Sequence, residues 1–295
     1  MVRFGAPAGR IVLRGSNGER SFETDVVLTP RESRRARLNG DGLQSAERLR
    51  HSLRTLVFTP DRLAVVKGAP AIRRAYLDRS LGRLFVAKAA LPIEYAAAVG
   101  QRNAALRRLA IGASTRAALT PWTDAVASLG AELVTARMET VRLLAAPYAA
   151  TAEQLGLESA ALVYEGEPPS ADELERRLEK DLERGVTGVG PHLHDLRIEA
   201  GGRELRAYGS QGEQRVAVLA LVLAEADTLA ARVGATPLVL LDDVLSELDG
   251  DRRRALAALV SGRGQTILTA TAAAAFPAEP AQALVVSPGE VRATI

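Results

Sequence analysis

Two periodicities share this chain, and the change from one to the other divides it. Up to about Phe58 apolar and polar residues follow the short-period pattern of strands and turns. Arg10-Ile-Val-Leu-Arg14, the turn Gly15-Ser-Asn-Gly18 and the alternating stretch 21–29 predict a β-hairpin. Asn39-Gly40-Asp41-Gly42 is a further turn signal, and 53–58 reads as a short buried strand ended by Thr59-Pro60. From about Ala71 to Gly185 the apolar spacing becomes three and four, which predicts helices over 71–90, 93–111 and 121–155. Thr120-Pro121 reads as a capping hydroxyl followed by a first-turn proline, and Pro147 as a kink or break. Ser170-Ala-Asp-Glu173 is a capping box opening a charged helix that Gly185 closes, and 164–169 reads as a linker.

After Gly185 strands and helices mix. A hairpin is predicted from 196–198 and 204–207 around Gly201-Gly202. A turn at Gly209-Ser-Gln-Gly212 feeds a helix over 213–233. Leu238-Val-Leu-Leu241 is a continuous apolar strand of the kind buried on both faces of a parallel sheet. A helix over 251–260, a strand over 266–269 and a hairpin of 284–286 with 291–295 complete the pattern. The prediction is an α/β body interrupted by a helical insertion, without internal repeats.

Composition narrows the chemistry. With 295 residues, 47% hydrophobic and 25% charged, the chain has ample material for one large core or two modest ones. The absence of cysteine removes disulfides, thiolate metal sites and a cysteine nucleophile. Only His51, His192 and His194 are available as imidazoles, and the last two read as structural or solvent-facing. The longest apolar run, 216–224, is too short to cross a bilayer, and no basic-then-apolar signal segment opens the chain; the expectation is a soluble, cytoplasmic protein. A formal charge of +3 is carried almost wholly by arginine, since Lys67, Lys88 and Lys180 are the only lysines. Arginine suits bidentate phosphate recognition, although a biased codon usage gives the same composition. Arg34, Arg35 and Arg37, Arg73-Arg74 and Arg252 to Arg254 are candidates for tracking a phosphate backbone; each cluster alone is more often a solvated face. Trp122 and the tyrosines are too scattered for a base-stacking platform.

Two segments carry a chemical signal. In Leu238-Val-Leu-Leu-Asp-Asp-Val-Leu-Ser-Glu-Leu-Asp249 an apolar strand ends in two acids. The carboxyl end of such a strand is where α/β sheets bind ligands, so one carboxylate can hold Mg²⁺ while the next takes a proton from water. Upstream, Gly209-Ser-Gln-Gly-Glu-Gln-Arg215 places a small-residue turn directly before a helix. Its backbone N–H groups and helix dipole can hold a phosphate, as an ordinary N-cap also would without any ligand.

The order of these pieces resembles the head of ABC-type ATPases. Ser210-Gln211-Gly212-Glu213 is similar to the signature motif, Leu-Leu-Asp242-Asp243 to Walker B, and Ser246-Glu247-Leu-Asp249 to the D-loop. Within that superfamily the chain resembles the RecF family of bacterial recombination and replication-repair proteins. The resemblance runs over essentially its whole length, through Phe58-Thr-Pro-Asp61, LAVVKGAPAIRRAYLD from Leu63 to Asp78, Gln101-Arg-Asn-Ala104 and Gly188-Val-Gly-Pro-His192.

The resemblance implies an ABC-type head formed by 1–70 and 186–295 and a helical arm formed by 71–185. It implies that Asp242 ligates Mg²⁺ and that Asp243, the catalytic residue, orients the attacking water. Ser210, Gln211, Gly212 and Glu213 would face the γ-phosphate of an ATP held by the opposite protomer, and the D-loop would connect the two sites. It further implies an ATP-dependent homodimer on double-stranded DNA or single/double-strand junctions, a slow ATPase, a part in the SOS response, and RecR and RecO as partners in loading RecA.

Four departures qualify it. Leu193 and His194 stand where the family usually has Arg-Asp after Gly-Pro-His; Glu213 replaces a more usual glutamine; and no switch histidine follows the strand at 266–269, which leaves a hydroxyl such as Thr271. The fourth is larger, because no lysine here is followed by Ser or Thr, so a P-loop is absent from these residues. The chain thus resembles a member of that family without its amino-terminal strand, P-loop and first helix, which is read as a mis-assigned start or a gene fragment rather than a natural P-loop-free protein. Such a gap would leave an unpaired apolar edge at Leu238-Val-Leu-Leu241. The alternatives are an ATP-independent module that binds DNA or a partner, and a transporter ATPase, which the helical insertion disfavours.

Overall fold

The computed structural model describes residues 2–17, 20–30, 35–43, 53–234, 236–272 and 276–294, with backbone only at Asn17, Arg20, Glu247 and Thr294. The readings made for Gly18, Arg34, His51 and Ile295 lie outside the described residues. The amino-terminal hairpin forms as its alternation requires. Strand β1 (Gly9–Asn17) pairs antiparallel with β2 (Arg20–Leu28), and β3 (Arg35–Leu38) and β4 (Asp41–Leu43) extend the sheet in chain order. Asn39 and Gly40 join the last two strands with both φ angles positive, at 52° and 90°, the primed two-residue turn that matches strand twist.

A second sheet is wholly parallel and carries the chemical segment. Its middle strand, β9 (Leu238–Leu241), is flanked by β5 (Thr55–Phe58) and β10 (Thr266–Leu268). The register pairs Thr55 with Leu238 and Phe58 with Leu241 on one side, and Thr266 with Val239 on the other. The exposed apolar edge expected at Leu238-Val-Leu-Leu241 is therefore corrected. The short strand before Thr59-Pro60 pairs with this edge along its whole length.

A 3₁₀ turn over Pro60–Leu63 and the short helix α1 (Ala64–Lys67) lead into the helical region. Helix α2 (Pro70–Leu84) ends six residues before the expected boundary at 90, and a separate 3₁₀ turn at Val86–Lys88 follows. Helices α3 (Leu91–Ala110) and α4 (Arg116–Gln154) form an antiparallel pair. Thr115, not Thr120, caps α4: its hydroxyl accepts from the N–H of Ala118. Pro121 consequently lies inside the helix, where it frees only the carbonyl of exposed Ala117, and the helix also runs through Pro147 without ending. The expected linker at 164–169 is shortened to 166–169, which is irregular, because Tyr164 and Glu165 end β6 (Ala160–Glu165), a strand paired antiparallel with β7 (Asp195–Ala200). Ser170 does cap a helix, but the helix divides into α5 (Ala171–Arg176) and α6 (Leu178–Arg184), closed by Gly185 at φ 66°. Of the hairpin arm expected at 204–207 only β8 (Arg203–Glu204) is strand; Leu205 begins the short helix α7 (Leu205–Tyr208).

Helix α8 (Gln211–Val233) is the centre of the molecule. Residues 216–224 are apolar on every side and buried on every side, as a helix enclosed by a core must be. They pack with Leu56 and Phe58 of β5, Val239 and Leu241 of β9, and Leu144 and Tyr148 of α4. Helix α9 (Gly250–Ser261) and the hairpin of β11 (Ala283–Ser287) with β12 (Glu290–Thr294) end the fold.

Arginines from the helical region clamp the segment 187–195 that returns the chain to the sheet. Arg73 grips Asp195 with two bonds at 2.8 and 2.5 Å, and Arg74 donates to the carbonyl of His194 at 2.8 Å. Arg137 grips Asp78 and donates to the Pro191 carbonyl at 2.7 Å. Arg102, fully buried, meets Asp181 at 2.7 Å and the Thr187 hydroxyl at 2.9 Å. Arg73 is thereby corrected as a phosphate-tracking candidate, since it is buried and its donors are spent on Asp195, Val66 and Gly68, whereas Arg74 is half-buried with one bond to the His194 carbonyl.

Candidate functional site

The site is built where β9 ends. Beyond Leu241 the N–H of Asp242 donates to the Phe58 carbonyl at 2.9 Å, which continues the sheet by one residue and holds Asp242 at its carboxyl edge. Asp243 then turns into the left-handed region at φ 48°, a conformation that Asp tolerates better than most residues but that still costs free energy. Thr269, the first residue after β10, joins the two acids. Its hydroxyl donates to Asp242 Oδ1 at 2.6 Å and accepts from the N–H of Asp243 at 3.0 Å. Asp242 is exposed, whereas Asp243 Oδ1 is buried without a hydrogen-bond partner among the described residues. A small hollow of about 20 Å³ beside Asp243 is lined by Phe58, Leu63, Leu219 and Leu248.

Ser246 and Asp249 hold the loop that follows. Ser246 donates to the carbonyl of Asp243 at 3.0 Å, while Asp249 caps α9 by accepting from the N–H of Arg252 at 2.9 Å. That backbone bond, together with the Arg252 cation, keeps the Asp249 carboxyl below its ordinary value. Between them the backbone of Glu247 forms part of a 3₁₀ turn.

The turn before α8 is a complete capping box. Ser210 Oγ accepts from the N–H of Glu213 at 3.2 Å, and Glu213 Oε2 accepts from the N–H of Ser210 at 2.7 Å. The bonds from Ser210 hold the Glu213 carboxyl below its ordinary value, with the Arg252 cation a smaller cause. Gln211 and Gly212 occupy the first turn, where helix geometry leaves their N–H groups without intrahelical acceptors. The next side chain inward, Gln214, donates to the Leu205 carbonyl at 2.7 Å and fixes the turn to α7. An open cleft of about 510 Å³ runs from Glu213 past Tyr208 and Arg203 to Glu158.

The structure thus brings Asp242 and Asp243 together and sets Ser246 and Asp249 behind them. Ser210, Gln211, Gly212 and Glu213 stand on a separate helix end. Thr271 is exposed, and no hydrogen bond of its side chain is found among the described residues; Thr269, two residues earlier, holds the position between the acids. Only its place directly after a strand beside β9 could have singled it out. His192 and His194 are fixed rather than free. His192 lies 2.7 Å from the Tyr95 hydroxyl and 3.0 Å from the Thr187 carbonyl, and His194 lies 2.9 Å from the Tyr164 hydroxyl. Burial lowers both imidazoles, His194 to about 4. No group of three or more His, Asp or Glu side chains is disposed to hold a metal among the described residues.

A parallel sheet with paired acids at its carboxyl edge, a capped helix end and a helical region inserted between its strands give the chain the fold of an ABC-type ATPase head. Solved structures agree on the fold. A recombination mediator RecF bound to ATPrS superposes with a TM-score of 0.82 at 23% identity, covering 100% of this chain and 82% of that one. An SMC head bound to the C-terminal winged-helix domain of ScpA superposes at 0.56 with 15% identity, covering 98% of this chain and 74% of that one. No protein-family model matches.

Curated relatives decide the family. DNA replication and repair protein RecF of Anaeromyxobacter sp. strain K is 39% identical over 92% of this chain and 77% of its own length. RecF of Heliobacterium modesticaldum is 35% identical over 95% of this chain and 79% of its own. The chain belongs to the RecF family.

Mg²⁺ and a nucleotide are what that family implies, and part of their surroundings is present. Asp242, Asp243 and Thr269 offer hard oxygen donors at the strand end, and one of them, the buried Asp243 Oδ1, lacks a partner among the described residues. That donor set suits Mg²⁺, which is usually held by one or two carboxylates with phosphate oxygens completing the shell. A glycine-rich turn with a lysine for the β- and γ-phosphates is not among these 295 residues.

Proposed function

We propose that this chain carries the signature, Walker B and D-loop elements of a RecF-type repair ATPase, with 1–70 and 186–295 as its head and 71–185 as its arm. With a P-loop supplied, it acts in the cytoplasm on double-stranded DNA or single/double-strand junctions as an ATP-dependent dimer, with RecR and RecO, to assist RecA loading. The relatives' name and the RecFOR pathway given for the solved RecF–ATPrS structure support this reading. The observation that carries it is the acid pair at the end of β9, with a buried, unpartnered oxygen on Asp243.

Each residue then has a task. Asp242 presents its exposed carboxylate to Mg²⁺, oriented by the Thr269 hydroxyl. Asp243 keeps an acceptor free for a water and is the general base. Gln211 and Gly212 offer backbone N–H groups to a partner's nucleotide, while Ser210 and Glu213 hold that turn in shape. Ser246, Glu247 and Asp249 form the D-loop, and Thr271 is within the segment that senses the far side of the site. When bound, Mg²⁺ neutralises charge on the phosphoryl oxygens.

A second reading is an ATP-independent module that binds DNA or a partner. Anisotropy of labelled duplex and gapped DNA, titrated at several salt concentrations with and without ATP, separates the readings. Binding through phosphates falls steeply with salt and depends little on sequence. The RecF reading expects that salt dependence together with a requirement for ATP once a P-loop is supplied. Equal affinity with and without ATP in such a chain supports the module. Strong sequence preference at fixed salt contradicts both.

A further inference from the structure

The start of α8 is bordered by a side chain from another helix. Arg252, in the first turn of α9, folds back so that a Cβ placed on Gly212 would lie 3.2 Å from its Nη1, and one on Gly156 would lie 3.9 Å from its Nε. Nη1 is also 3.6 Å from Asp249 Oδ2, and the side chain is only 25% exposed. Glycine at 212 gives the guanidinium room to reach the helix start; any larger residue would press on it.

Gly156 marks the end of the long helix α4. The N–H of Leu157 donates to the Ala152 carbonyl and that of Gly156 to the Glu153 carbonyl, both at 2.9 Å, with Gly156 at φ 75°. This is a Schellman motif, which closes the helix at its negative dipole end. Three segments therefore meet at one cation: the carboxyl end of α4, the capped start of α8 with Glu213, and the cap of α9 with Asp249. Each presents negative charge or a negative dipole to it.

We propose that Arg252 is a positioning residue that ties the end of the arm, the turn at Ser210 to Glu213 and the loop at Ser246 to Asp249 into one unit. Those two segments then keep a fixed spacing towards a partner's nucleotide, and a displacement of the arm reaches both together. This inference rests on the reading of the two segments as the half-site offered in trans. Arginine is needed for its charge and for the breadth of its planar fork, which lies between the three segments; a single ammonium point charge serves part of that need.

The test is amide hydrogen exchange and carboxyl ¹³C titration on the 295-residue chain without nucleotide, for Arg252→Ala, Arg252→Met, Arg252→Lys and Gly212→Ala. Loss of the tie should speed exchange about tenfold at both Glu213 and Leu157 in the Ala and Met variants, with Val239 of β9 unchanged as the control for global unfolding. Lysine should return both amides to within about threefold of the parent. The Glu213 carboxyl should titrate higher in Ala and Met than in Lys. Gly212→Ala, which crowds the guanidinium and keeps its charge, should speed exchange at Leu157 on the far side of it. Parent-like exchange in Arg252→Met would overturn the proposal by reducing the residue to packing. So would acceleration confined to 250–254, or an unchanged Leu157 in Gly212→Ala. Because no nucleotide is present, these outcomes stand apart from any result on ATP binding.

Discussion

Replacing Asp243 by Asn should make the protein more stable, and replacing Asp242 by Ala should make it less so. Asp243 holds a carboxylate oxygen buried without a partner among the described residues, directly after another carboxylate, on a backbone at φ 48°. Leaving a buried polar atom unsatisfied costs about 1–3 kcal/mol. An amide is neutral and keeps the left-handed backbone tolerable, so it removes part of that cost, about 1 kcal/mol. The bond from the Asp243 N–H to Thr269 is untouched. For a chain of this size about 1 kcal/mol moves the thermal midpoint by about 2–4 °C. Asp242→Ala loses the acceptor of the 2.6 Å bond from Thr269, in an exposed setting, and should cost about 1 kcal/mol. Urea titration followed by circular dichroism, with calorimetry for the midpoint, gives both signs in one experiment. If Asp243→Asn lowers stability as much as Asp242→Ala does, the Asp243 carboxylate serves the fold, and reading its free oxygen as reserved for a water is wrong.

Arg102→Met should destabilise by about 3–5 kcal/mol, because it leaves buried Asp181 with the Gly188 N–H as its one bonding partner among the described residues; the urea midpoint measures it. Gly166→Ala should also destabilise, by about 1–3 kcal/mol, since φ is 153° and the added carbon would overlap the ring of His194. Stability should depend on pH through the same histidine. Burial holds folded His194 at about 4 against an ordinary 6.5, so between those values the unfolded chain binds the extra proton. Folding free energy is therefore lost as pH falls from 6.5 towards 4, and His194→Gln should flatten that part of a denaturation series against pH.

What was legible depended on whether a signal was local. The strand at Leu238–Leu241, the helix after Ser210 and the turn at Asn39-Gly40 announced themselves through an uninterrupted apolar run, a small-residue turn before a helix and a glycine-bearing turn signal. The order of the acid pair and its neighbours was likewise readable, and so was the family. Contacts across long sequence separations were not. Arg73 and Arg74 look like surface charge in sequence, yet their partners Asp195 and His194 lie 122 and 120 residues away. The strand β6 was hidden by two alanines and by its place after a long helix, and only β7 gives it a pairing partner. Thr115 was passed over as the cap because Pro121 drew the helix start towards itself. Thr269 lacked any motif; its role at the site comes from the parallel register that sets β10 beside β9.

The most direct measurement is titration of a fluorescent ATP analogue with Mg²⁺ into two proteins: the 295-residue chain, and the same chain extended in frame at its amino end by a strand and a G-x-x-x-x-G-K-[ST] turn. The turn at Ser210 to Gly212 supplies only the covering side of a nucleotide site, and the floor for the β- and γ-phosphates requires the lysine-bearing turn. The short chain should show no saturable binding. The extended chain should bind the analogue, dimerise with it and stay in solution. Tight Mg²⁺-dependent binding by the short chain would contradict this, because the phosphates would then rest on residues other than those assigned.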